Sequence, residues 1–263
     1  MLSDIWTKTL WDQRRALLGW VIGFIAVSII YGGFYPYAST PEYAELLDSL
    51  PAGMSEAFGW DEINSPHGYL GSTVFGILGP VLVIIMGIAF GARAIAGNEE
   101  AGHLELLIAQ PVTRTRVVVQ RGVALLIATL VGGLAVFFSI LAIRGPVDLD
   151  LPVANIAATS LNLALLGAVF GTLALLVGGI VGRRGLVIGV SAVVAVTAYL
   201  ANGLAPQVEG LAWLQNLSPF HWFGSTATLR DGIDLPMTLL LAAVSLVLVA
   251  FATFAFNRRD VGL

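Results

Sequence analysis

GNEEAGHLELLIAQPVTRTRVVVQR, Gly97 to Arg121, is the one long charged stretch between long apolar runs that has basic residues on both sides of it. Everything before and after it therefore reads as membrane anchoring. Asn98 is placed to cap a helix whose first turn holds Glu99 and Glu100, where the positive end of a helix dipole favours carboxylates. Leu104, Leu107 and Ile108 follow at helical spacing on one side, while Glu99, Glu100, His103 and Gln110 keep the stretch too polar to enter lipid. Pro111 stops that helix and Thr113 can cap the next one. Arg114, Arg116 and Arg121 sit where long basic side chains reach back toward water. The pattern predicts a short amphipathic helix, a hard turn and re-entry into a bilayer. The competing reading is an ordinary interfacial loop that only joins two spans.

Composition agrees with the membrane reading. Apolar residues make up 57% of the 263, charged residues 11%, and the mean hydropathy is +0.87. A soluble domain of this size with those values would aggregate. The net charge of −4 says less than the side of the membrane on which each charge falls. The absence of cysteine excludes disulfides, thiolate metal sites and cysteine nucleophiles. Lys8 is the only lysine among 13 basic residues, and with abundant Ala, Val and Gly this hints at a GC-rich prokaryotic genome.

Six runs are long enough to cross a hydrocarbon core of about 30 Å at about 1.5 Å per residue. They are Ala16 to Tyr35, Tyr69 to Ala92, Gly122 to Ile143, Ala154 to Val181, Leu186 to Leu204 and Pro236 to Phe256. The expected fold is all-α and polytopic, a single transmembrane domain over 1–263. Residues 1–15 place Leu2, Ile5, Trp6 and Leu10 on one helical face, which suits a helix lying in the interface. The first run is too long for a signal-peptide apolar core of about 7–15 residues and reads as a retained span. With both termini in the cytoplasm, eleven basic residues lie inside and only Arg144 and Arg230 outside, as the positive-inside rule requires.

Two outside segments follow from that topology. Residues 36–68 carry Glu42, Glu45, Asp48, Glu56, Asp61 and Glu62 with no Lys or Arg, which reads as an outside loop before it reads as a cation vestibule. Residues 206–234 hold Leu211, Trp213, Leu214, Leu217, Phe220, Trp222 and Phe223 among helix-breaking Pro and Gly. Such a segment dips into the outer face or lies along it, shielded by protein, with Trp213 and Trp222 as interfacial anchors. Within the spans, Pro80 is expected to kink the second. Small residues recur four apart at Gly19 and Gly23, Gly87 and Gly91, Gly167 and Gly171, and Gly185 and Gly189, where helices could approach closely.

The chemistry is decided largely by what the spans lack. None has an Asp, Glu, Lys, Arg or His near its centre, the groups on which ion-coupled transporters and pumps generally depend. The polar residues at depth are Ser139, Thr159, Asn162, Thr172, Ser191, Thr197, Asn202 and Ser245, which either bond between helices or touch a substrate. Ser191, Thr197 and Asn202 are the candidates for a substrate path. A phosphate-binding loop needs a Lys in a glycine-rich turn, and Lys8 has no such setting. A serine hydrolase at Gly224-Ser225 has only His221 as a nearby base, which is weak support. Three scattered histidines offer no metal-ligand spacing. Directed work by this chain thus needs energy from another polypeptide, docked on the cytoplasmic side.

The arrangement of an interfacial helix, six spans, the Gly97–Arg121 stretch after the second span and LQNLSPFHWF before the last resembles the permease subunit of type-2 ATP-binding-cassette (ABC) exporters. The resemblance covers nearly the whole chain. It is sharpest in an acidic residue, a Gly, Leu-Glu-Leu-Leu, and Pro111 to Arg114; His103 stands where Thr often follows the Gly. It implies that 97–113 is a coupling segment seated in a groove of a cytoplasmic ATPase. Asn98, Glu99, Glu100, His103, Leu104, Glu105, Leu107, Ile108, Pro111 and Arg114 would then form the docking site, the acidic groups meeting basic or amide groups and the leucines filling its apolar part. It implies as partners an ATPase dimer, which would hold ATP and Mg, and a second permease half, identical or different, in a prokaryotic plasma membrane. No cofactor in this chain and no nucleic acid is implied. The second and fifth spans would line the path, and 206–234 would help close its outer end. Mild hydroxyls and amides in apolar spans favour a hydrophobic or amphipathic cargo such as a drug, antibiotic, peptide or lipid. The alternative is a non-transporting membrane protein that recruits a cytoplasmic partner through 97–113.

Overall fold

A computed structural model of the chain describes residues 4–48, 62–102 and 112–259. Every regular element among them is helical. Six helices are long and apolar enough to cross a membrane: Arg14–Ala38, Pro66–Glu100, Arg114–Arg144, Val153–Val181, Arg184–Gln207 and Leu235–Arg258. Each contains one of the six apolar runs, and the second and third reach well past theirs at the arginine-rich end. Helical hydrogen bonds continue there into residues too polar for hydrocarbon. Before the first span, Ile5–Asp12 forms a separate helix docked on the start of the third span, where the Ile5 N–H donates to Gln120 Oε1 at 2.6 Å and Arg116 reaches Asp4 at 3.5 Å.

Burial orders the bundle. In the most apolar stretch of the fourth span 67% of residues are buried, and 61% in the second, against 17% in the first and fifth and 22% in the sixth. The second and fourth spans are therefore the middle, and the others stand around them. In lipid the apolar exterior gives little drive for helices to associate, so close contact must come from small residues. A Cβ on Gly87 or Gly91 would collide with the carbonyl oxygens of Gly167 and Gly171 respectively, so the second and fourth spans touch backbone to backbone. Gly133 lies equally close to the Ser160 carbonyl of the fourth span, and Gly132 receives the Phe24 ring of the first. Gly19, Gly23, Gly185 and Gly189 have nothing near them. Two of the four glycine pairs thus build the core, and two face outward on the least buried spans.

The second span departs from plain helix twice, in π-helical turns at Val74–Leu78 and Arg93–Gly97. The first of these changes the expectation for Pro80. Leu78 and Gly79 already donate five residues back, to Thr73 and Val74, so the hydrogen-bond register has shifted by the point where Pro80 withholds its N–H. The second corrects the expectation for Asn98. The helix does not restart at Asn98; it runs on through the wide turn to Glu100 and ends at Gly102, whose φ is +69°. The Asn98 side chain donates back to the Arg93 and Ala94 carbonyls instead of capping a new helix.

Long-range hydrogen bonds sort the molecule into two ends. One is rich in arginine and joins Asp4, Glu99, Glu100, Arg114, Arg116, Arg184 and Arg259. The other holds the segment between the fifth and sixth spans, a chain of short helices: 3-10 turns at Ala205–Gln207 and Ala212–Leu217, then Pro219–Phe223 and Ser225–Asp231 joined at Gly224, φ +53°.

Candidate functional site

At the arginine-rich end, Glu99 and Glu100 occupy the last turn of the second span, where the helix dipole disfavours carboxylates. Each has a compensating partner from a distant element. The Arg259 guanidinium, just past the sixth span, forks onto both Glu99 oxygens, with Nη1 to Oε2 at 3.0 Å. Glu100 Oε1 accepts from the Arg184 N–H at 2.9 Å, so it caps the start of the fifth span, where an anion meets free N–H groups. Gly182 closes the fourth span with φ +67°, and a Cβ there would strike the Glu99–Arg259 pair. The left-handed conformation favours glycine at that position, and a larger residue would also push the ends of the Glu99 and Arg259 side chains aside.

The other end of the segment starts as its residues dictate. Thr113 caps the third span by accepting from the Arg116 N–H at 3.2 Å. Arg114 donates Nη1 to the carbonyls of Arg259 and, at 3.5 Å, Phe256, and Asn257 donates to Thr115 at 2.9 Å. Arg121 is buried, and its Nη1 has no hydrogen-bond partner among the described residues. Of the predicted docking residues, Glu99, Glu100 and Arg114 are thus gathered within one cluster, whereas Asn98 bonds only back along its own helix. His103, Leu104, Glu105, Leu107, Ile108 and Pro111 lie outside the described residues. Arg184 and Arg259 complete the cluster, and the sequence carried no local signal for them, because their partners are 84 and 160 residues away.

At the opposite end, polar side chains from the spans hold the short helices in place. Asn162, fully buried on the fourth span, donates to the Phe223 carbonyl at 3.4 Å and accepts from Thr238 of the sixth span at 2.8 Å. Asn155 donates to the Leu229 and Arg230 carbonyls, and Ser218 to the Ala198 carbonyl of the fifth span at 2.8 Å. Ser225, the residue considered as a nucleophile, donates its hydroxyl to the Gly71 carbonyl at 3.1 Å. Phe220 and Phe223 are buried, whereas Trp213 stands 57% exposed and Trp222 donates its indole N–H to the Asn216 carbonyl. Glu62 of the acidic loop pairs with His67 at 3.0 Å and with Arg230 at 3.2 Å. The Asp231 hydrogen bond, and then the charges of Asp231 and Glu62, raise the Arg230 guanidinium above its ordinary value.

Beside this assembly lies a cavity of about 740 Å³ between the second and fifth spans, within the size range of small-molecule sites. Its wall includes Ser72, Tyr199, Asn202, Gln207, Gln215, Ser225 and Thr226, which are uncharged hydrogen-bonding groups. Asn202 Oδ1 is buried and has no partner among the described residues. Of the three substrate-path candidates only Asn202 lines this cavity; Ser191 is buried within the bundle and Thr197 is exposed.

Six apolar helices around a glycine-built core, with charges kept to the two ends of the bundle and, among the described residues, no ionisable cluster at depth, define a polytopic membrane protein. The family model described as ABC-2 family transporter protein matches residues 4–261, and the chain belongs to that family. It is the membrane permease component of an ABC transporter, and membership implies association with an ABC ATPase. No curated protein matches the chain.

Proposed function

We propose that this permease is one half of an ATP-driven exporter that moves a hydrophobic or amphipathic molecule outward across a prokaryotic plasma membrane. Its arginine-rich end faces the cytoplasm, in keeping with the eleven-to-two distribution of basic residues. Residues 97–113 dock on an ATPase dimer that binds ATP and Mg, and Leu104, Leu107 and Ile108 fill an apolar groove of that partner. The observation that carries the reading is the convergence at one end. The incoming flank of 97–113 bonds to the ends of the fifth and sixth spans and the outgoing flank to the end of the sixth, so a push on the segment reaches several spans together.

The cavity between the second and fifth spans supplies the outer part of the path. Its amides and hydroxyls suit the polar part of an amphipathic cargo, and its apolar surroundings suit the remainder. A second half, identical or different, packs against the first and fifth spans, whose outward glycine pairs leave room for close approach.

Leu104→Asp with Leu107→Asp tests the docking. The variant is expected to lose the ATPase from purified membranes and to abolish permease-dependent ATP hydrolysis. An ATPase that stays bound and active would contradict the assignment of 97–113. An ATPase that binds through this segment in wild type but moves none of a panel of amphipathic compounds into vesicles would favour a recruiting role without transport.

A further inference from the structure

A lever between the second and third spans transmits force only if its two ends are fastened to the bundle. Both ends meet a single residue, Arg259. On the incoming side its guanidinium grips Glu99 with both nitrogens of the fork. On the outgoing side its backbone carbonyl accepts from Arg114, whose guanidinium also lies 5.8 Å from the Phe256 ring centre. An isolated surface ion pair would contribute little. This pair differs in three respects: it is forked, its side chains are only 22% and 23% exposed, and the same arginine is bonded through its backbone to the other flank.

We propose that Arg259 is a positioning residue that ties both ends of 97–113 to the sixth span, so that the segment moves with that span. The inference rests on the docking role of 97–113; Arg259 itself acts through Glu99 and Arg114. Gly182 keeps the space in which the tie forms.

Because the chain has no cysteine, Ala101→Cys and Val112→Cys can carry spin labels on the otherwise native permease in lipid nanodiscs. No ATPase or cargo is needed. The label-to-label distance distribution is expected to be narrow, to widen about twofold or more in Arg259→Glu or Glu99→Arg, and to narrow again when both are combined, the signature of a direct pair. Arg259→Lys should widen it less than Arg259→Gln. In complex with the cognate ATPase, the single reversals should lower permease-dependent ATP hydrolysis about tenfold with the ATPase still bound, and the swap should recover it. Label distances that ignore the single reversals, or a folded swap that stays wide, would overturn the proposal. Should the swap not fold, an unchanged distribution in Arg259→Gln overturns it alone. If the ATPase fails to bind wild type, the docking reading fails, while the label distances still decide the role of Arg259.

Discussion

Asn162 shows how a single amide organises one end of this membrane protein. It sits on the most buried span, and its two halves face different ways: the N–H group toward Phe223 of the short helices, the carbonyl toward Thr238 of the sixth span. Neither bond can be replaced by water at a buried site, so removal leaves polar atoms stranded. Asn162→Leu is expected to lower stability by about 1–2 kcal/mol, and Thr238→Val by about half as much, at the scale of interhelical bonds in membrane proteins. Thermal unfolding in one detergent checks both, and the double variant should cost less than their sum because they share a bond. A double variant with fully additive cost would show that the two residues act separately. The Glu62–Arg230 pair is of another kind. Its arginine is held above its ordinary value, so the contribution of its charge is present below that value and is lost only above it, far from working pH.

The helices divide by whether their glycines are occupied. Gly87, Gly91, Gly167 and Gly171 bring the second and fourth spans into backbone contact, whereas Gly23 and Gly189 face open space. Gly87→Val or Gly171→Val should destabilise the bundle by about 1–3 kcal/mol or more, through forced separation of the spans. Gly23→Val and Gly189→Val should leave the single subunit folded and weaken its pairing with a second half. Size-exclusion profiles of the four variants check this, and the reverse pattern would contradict the packing. The six spans were legible in the sequence because length and hydropathy alone specify them. The shielding expected for 206–234 is found at Phe220 and Phe223, which are buried, whereas Leu211, Trp213 and Leu217 are exposed. Which glycine pairs would meet was not legible, since all four have the same spacing. The course of the second span was misread because Asn98 followed by two glutamates has the form of a helix start. A π-helical turn, which leaves no residue signature, carried the helix through to Glu100. The glutamates do relieve a helix dipole and hold an arginine, but those of the fifth and sixth spans, 84 and 160 residues distant.

The whole molecule is a membrane body with a cluster of charged fastenings at one end and a roof of short helices at the other. Its spans lack the ionisable groups near their centres on which ion-coupled transporters generally depend. On the proposed function, the energy comes from the ABC ATPase that family membership implies. The most direct measurement is vesicle accumulation of amphipathic compounds by the purified permease, with ATP, in the presence and absence of the cognate ATPase. The account predicts accumulation that needs both ATP and the ATPase and disappears in Leu104→Asp with Leu107→Asp. Accumulation by the permease alone, or driven by an imposed ion gradient without ATP, would contradict it.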